Sequence, residues 1–163
     1  MILKKSILDI FFVLFVFLLD RISKLLIINY ANFNDEFNLE INSFISFNLI
    51  WNNGIAFGLF SFDQAIYYNL LTAIILLIIV CIIWFIRKTK GLEKYAFTMV
   101  LGGSLGNVYD RIFYSSVPDF IDIHFYNLHW FIFNVADIFI TIGIVFLISI
   151  EIFSSKKRKN ENY

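Results

Sequence analysis

The chain has 163 residues, of which 60% are hydrophobic and only 16% charged, with 13 Lys and Arg balanced by 13 Asp and Glu. A soluble domain is nearer half apolar and a quarter charged, so this composition excludes an ordinary soluble protein and points to one integral membrane domain over residues 1–163. A lone cysteine, Cys81 in an apolar run, excludes a disulfide framework and a cysteine-based metal motif.

Four stretches are long enough to cross the ~30 Å hydrocarbon layer, which needs ~20 apolar residues. They are predicted at about 7–28, 66–86, 95–113 and 131–153. The first follows a basic start and resembles a signal peptide. No small-x-small cleavage site follows it, only Asp20 and Arg21, so it is read as a retained helix. The second carries no charge. The third is rich in small residues, with Gly102 and Gly106 spaced for close helix approach, and ends in Asn107, Asp110 and Arg111. The fourth carries Asp137.

Between the first two spans lies an outer segment, 29–65, and between the last two a shorter one, 114–130. The longer segment is aromatic and β-branched, with a turn signal at Asn52-Asn53-Gly54. A small sheet is expected there, with Trp51, Phe57 and Phe60 at the membrane interface. The shorter reads as a loop in which Pro118 biases Val117 toward an extended conformation. The expected fold is therefore an all-α membrane protein of four transmembrane helices, with a β-rich extracytoplasmic cradle and a short outer loop.

Basic residues fix the expected orientation. Lys4 and Lys5, then Arg87, Lys88, Lys90 and Lys94, then Lys156, Lys157, Arg158 and Lys159 mark one side, and both outer segments lack Lys and Arg. By the positive-inside rule the termini and the middle loop are cytoplasmic. The basic tail reads as a topological anchor, with no nucleic-acid partner implied.

With that orientation the intramembrane charges gather in one leaflet. Asp137, six residues in from Phe131, is placed ~9 Å deep at 1.5 Å per residue, where a carboxylate is expensive and marks function. Asn134, Asp137 and Thr141 share one expected helix face, as do Gly103, Asn107 and Asp110, while Asp20 and Lys24 form an i, i+4 pair. Asp110 with Arg111, like Asp20 with Lys24, reads first as a structural ion pair or a helix-end anchor. His124 and His129 have no third ligand at zinc spacing and read as interfacial or loop histidines; no metal or cofactor is implied. Asp119 in the outer loop is the second candidate acid. Two carboxylates brought within hydrogen-bond reach share a proton, and such a pair can activate water while protonating a carbonyl. A proton-coupled carrier and a non-catalytic helix scaffold are the rival readings. The first lacks an inverted repeat, and the second has no use for Asp119 as well as Asp137.

The segments Asp20-Arg21-Ile22-Ser23-Lys24, Asn52-Asn53-Gly54-Ile55-Ala56-Phe57, Gly106-Asn107-Val108-Tyr109-Asp110-Arg111, Val117-Pro118-Asp119-Phe120 and Asn134-Val135-Ala136-Asp137 resemble, in order, the motifs of lipoprotein signal peptidase, signal peptidase II. The resemblance covers nearly the whole chain. It implies an intramembrane aspartic endopeptidase of the bacterial cytoplasmic membrane. Such an enzyme removes signal peptides from diacylglyceryl-modified prolipoproteins, cutting before the lipidated cysteine. It implies Asp119 and Asp137 as catalytic residues. It assigns Asp20, Lys24, Asn52, Gly54, Asn107, Asp110, Arg111, Asn134 and Ala136 to substrate binding or support of the acids. Membrane lipid and a globomycin-type inhibitor are the further partners implied. Ile55 stands where the family usually has Ala, and Pro118 where it has an aliphatic residue, which bears on substrate preference rather than reaction class.

Overall fold

The computed structural model describes residues 2–33, 37–54, 65–126 and 128–161; Ile55, Phe57 and Phe60 lie outside them. Among the described residues four helices, α1 (Ile2–Asn32), α2 (Ala65–Lys88), α3 (Gly91–Tyr114) and α4 (Val135–Glu161), accompany four strands. These are β1 (Leu39–Asn42), β2 (Ile45–Asn52), β3 (Val117–Phe125) and β4 (Leu128–Phe133), in one antiparallel sheet of order β1-β2-β3-β4.

The helices bury polar groups and expose apolar ones. Asp20, Lys24, Asp110 and Asn134 are fully buried, whereas Phe11, Leu26, Leu77, Val80 and Phe153 are largely exposed. Such an inversion suits a surface that meets lipid rather than water. Two helical segments, Tyr68–Lys88 and Val135–Ser154, are long and apolar enough to cross a membrane. In the other two, α1 and α3, the apolar run is broken by Asp20, Arg21 and Lys24 and by Asp110 and Arg111.

Helix α3 is the hub, packing on each of the other helices. Ile79 and Ile82 of α2 meet Val100, Leu101 and Val108 of α3 in an apolar cluster. On its other faces α3 comes close to α1 and α4 because it carries glycines there. A Cβ on Gly102 would sit 2.7 Å from Val16 Cβ, and one on Gly103 would sit 2.6 Å from the Ala136 carbonyl oxygen. Gly143 repays the contact from α4, where a Cβ would stand 2.8 Å from the Ala96 carbonyl oxygen. Close approach of this kind replaces the hydrophobic drive that lipid cannot supply between helices.

One outer segment agrees with expectation and the other differs from it. The longer one forms the expected strands: Asn42 Oδ1 accepts from the Phe44 and Ile45 backbone N–H groups at 2.8 and 3.0 Å and closes the β1–β2 turn. The shorter one is no simple loop, since Val117–Phe125 and Leu128–Phe133 form the paired strands β3 and β4. Its alternation of bulky and polar residues reads as a strand once β2 offers an edge: Ile50 pairs with Asp119, Trp51 with Pro118 and Asn52 with Val117. Pro118, fully buried, sits near the start of β3, where a missing N–H donor is tolerated. The fourth helix starts later than expected, because Phe131–Phe133 belong to β4.

Replacing Gly103 by Ala should force α3 and α4 apart, since backbone and Ile140 Cγ1, 2.9 Å from the added carbon, both stand in the way. A destabilisation of ~1–3 kcal/mol is expected, the usual cost of overpacking. Detergent-solubilised protein followed through thermal or denaturant unfolding checks it, and an unchanged midpoint would remove the close-packing account.

Candidate active site

The late start of α4 changes the standing of Asp137. It lies in the first turn of the helix, not two turns down a span. Asn134 is the cap: its Oδ1 accepts from the Asp137 N–H at 3.0 Å, and Asp137 Oδ2 accepts from the Asn134 N–H at 3.2 Å. This reciprocal pair is a capping box, and the positive end of the helix dipole favours the carboxylate placed there. The helix start expected near Phe131 is thus overturned, and Asn134 precedes the helix rather than sharing a helical face with Asp137.

Asn134 also reaches the second acid. With its oxygen committed to the α4 backbone, its amide nitrogen donates to Asp119 Oδ1 at 2.6 Å. Asn52 acts in the same way from β2. Its Oδ1 accepts from the Gly54 N–H at 2.8 Å, and its Nδ2 donates to Asp119 Oδ2 at 2.8 Å. Asp119 is 3% exposed and Asp137 6% exposed. Burial, reinforced by the negative charge of Asp137, pushes the Asp119 carboxyl up to about 7 against the pull of the Asn52 and Asn134 hydrogen bonds.

Behind the acids lies a charged cluster between α1 and α3. The Lys24 ammonium donates to Asp20 Oδ2 at 2.8 Å, Asn107 Oδ1 at 2.8 Å and Asp110 Oδ2 at 2.7 Å, which uses all three of its protons. Asn107, its oxygen so occupied, presents Nδ2 to Asp137 Oδ1 at 2.8 Å. Asp20 Oδ1 accepts from the Ala136 N–H at 2.9 Å and satisfies a first-turn donor of α4 that has no partner within the helix. Gly106 leaves room for this carboxylate, which a Cβ there would overlap.

The expected Asp20–Lys24 pair is present, but Asp110 and Arg111 do not pair with each other. Asp110 pairs with Lys24 and with Arg21, whose guanidinium also lies 4.6 Å from the Tyr109 ring centre. Arg111 donates instead to the Gly54 carbonyl at 3.0 Å and the Asn107 carbonyl at 3.2 Å, tying the end of β2 to α3. Arg21 is the one member of the cluster that sequence reasoning left without a role, although its place beside Asp20 was a visible signal.

All eleven residues singled out from the sequence therefore fall into one connected region. His124 and His129 do not join it. Nor do they lack a third neighbour: Asp122 Oδ2 lies 2.7 Å from His129 Nδ1 on the β3–β4 hairpin. Spacing along the chain hid that acid because the hairpin, not the local sequence, brings it into contact.

The chain can be compared with known proteins on this footing. The model of the family described as signal peptidase (SPase) II matches residues 12–153. The lipoprotein signal peptidase of Pelagibacter ubique is 49% identical over 159 residues, covering 98% of this chain and 96% of its own. That of Francisella tularensis subsp. mediasiatica is 41% identical over 142 residues, 85% of this chain and 87% of its own. A solved bacterial membrane enzyme superposes with a TM-score of 0.74 at 26% identity, over 91% of this chain and 90% of that one. A family match across most of the chain, relatives aligned nearly end to end and a shared fold agree: the chain belongs to the signal peptidase II family.

Proposed function

We propose that this protease is an aspartic endopeptidase that frees lipoprotein precursors of their signal peptides, with Asp119 and Asp137 as the reacting pair. The observation that carries the reading is Asn134, which holds both acids at once through one side chain and its own backbone N–H. The reaction needs one proton shared between two carboxyls. The ionised member takes a proton from water as it attacks the scissile carbonyl, and the protonated member donates to the carbonyl oxygen. The proton then passes to the leaving amine. With a pKa of about 7, Asp119 is suited to hold the shared proton near neutrality. Asn52, Asn107 and Asn134 point donors at the acids and fix their orientation; Arg111, holding Gly54, supports the strand beside Asp119.

The whole chain forms a single membrane domain on this reading, with four spanning helices, both termini cytoplasmic and the sheet on the outer side. Support for α1 as a span comes from its outward face, where Ile7, Leu8, Ile10, Phe11, Leu14, Phe15 and Leu18 are all exposed, while Asp20 and Lys24 point inward. The acids lie where the sheet meets the helix ends, the level at which a diacylglyceryl-anchored cysteine would present its peptide bond. Globomycin-type inhibitors would occupy the same level.

Cleavage of a diacylglyceryl-modified precursor by purified protein is the test. Asp119→Asn and Asp137→Asn should each lower turnover by at least ~10²–10⁴, the range for loss of a general acid or base. A well-folded variant of either kind with normal turnover would sink the pair. In the wild type, kcat/KM should decline as pH rises through about 7, when Asp119 gives up the shared proton.

Asp119 also links stability to pH. Its folded pKa of about 7 exceeds the ordinary 3.8, so between these values the native state binds the extra proton. The contribution is fully present below the unfolded pKa and is lost as pH rises toward the folded one. Unfolding midpoints of the wild type should therefore fall between about pH 4 and 7 relative to Asp119→Asn, in which this slope is absent. Parallel pH profiles of the two proteins would contradict the assignment.

A further inference from the structure

The β3–β4 hairpin carries a second constellation. Asp122 and His124 are two residues apart on one face of β3, and His129 is the cross-strand partner of His124. Asp119, an odd number of residues away, belongs to the alternate face. The two imidazole rings have centroids 5.4 Å apart, and one ligand atom from each of the three residues lies within 4.8 Å of the others.

An Asp–His hydrogen bond explains half of this arrangement. It uses Asp122 Oδ2 and His129 Nδ1, at 2.7 Å. It leaves Asp122 Oδ1 and His124 Nδ1 buried with no partner among the described residues, and Asp122 is fully buried. Buried acceptors and ring nitrogens of this kind are costly to leave unmade. A cation between them would meet both needs.

We propose that Asp122, His124 and His129 bind a divalent cation of the zinc class. One carboxylate and two neutral imidazoles suit zinc and its transition-metal neighbours, whereas calcium and magnesium require oxygen ligands nearly throughout. Three protein ligands leave a fourth position for water. Tetrahedral bonds of about 2.1 Å set ligand atoms roughly 3.4 Å apart, so atoms spread over as much as 4.8 Å must close in, while Asp122 Oδ2 and His129 Nδ1, at 2.7 Å, must open to admit the ion. His129, whose side chain is 58% exposed, is free to turn for this. The bound ion clamps edge strand β4 to β3, and β4 runs directly into Asn134 and the first turn of α4.

Full-length detergent-solubilised protein, freed of any affinity tag and of bound metal, is titrated with Zn²⁺ by calorimetry and with Co²⁺ by visible absorption. One equivalent should bind, Co²⁺ should show tetrahedral d–d bands, and zinc should raise the unfolding midpoint. His124→Ala and His129→Ala should each weaken binding at least about tenfold, while Asp119→Asn leaves it unchanged. The exposed position of His129 makes its variant safe for folding, and the unfolding midpoint without metal checks that. The proposal is overturned if the wild type takes up no zinc at micromolar concentration, or if the double histidine variant binds as the wild type does. Binding lost in Asp119→Asn but kept in the histidine variants would overturn it too, placing the ion at the acid pair.

Discussion

One buried ammonium organises this molecule. Lys24 has no water to turn to, and each of its three protons needs an acceptor, so Asp20, Asn107 and Asp110 must converge on it. The cost of burying a charge between apolar helices is large, and only a full set of partners offsets it. That requirement draws the C-terminal half of α1 to the C-terminal part of α3. The glycines at 102 and 106 make the approach sterically possible. Replacing such a cluster with apolar residues could leave stability intact, since buried ion pairs often contribute little net stabilisation. What the cluster supplies instead is a single arrangement of the helix ends.

That arrangement passes to the acids through amides whose direction is fixed. A carboxamide has one acceptor end and one donor end, and here the acceptor end is always taken first: by Lys24 for Asn107, by the Gly54 N–H for Asn52, by the Asp137 N–H for Asn134. Each nitrogen is thereby turned toward Asp119 or Asp137. Substituting aspartate for any of the three asparagines would preserve shape and the acceptor, yet remove the donor and add a like charge beside the pair. The orientation is thus encoded by chemistry rather than by packing alone, a stiffness that preorganised acid/base groups need.

Much of the site is legible in the sequence because charged and amide residues are so scarce in this chain. Against a background of Phe, Ile and Leu, each of Asp20, Lys24, Asn107, Asp110 and Asp137 stands out as needing a partner. The small residues of α3 were legible too, from the Gly102–Gly106 spacing. Two features were not. The start of α4 is hidden behind Phe131–Phe133 because an apolar run looks the same whether it is a strand or a buried helix, and only the edge of β3 decides between them. The neighbourhood of Asp122, His124 and His129 was hidden for the same reason, since the hairpin register alone makes those residues neighbours.

The correction to α4 alters the physical account of its acid. Deep in a span, Asp137 would be a charge held against a steep desolvation cost, tolerable only for function. In the first turn of α4 it meets the N–H of Asn134 and the amide of Asn107, and the backbone dipole favours negative charge at that end. The neighbouring first-turn donor, Ala136 N–H, is already occupied by Asp20. An acid that caps a helix is held by the fold whether or not substrate is present. Its oxygens are therefore held in one orientation, and the helix end that fixes them is itself pinned to α1. The structural role of Asp137 and the chemical role proposed for it thus fall on one carboxylate, and a short side chain at a helix start is held there where a long flexible one would not be.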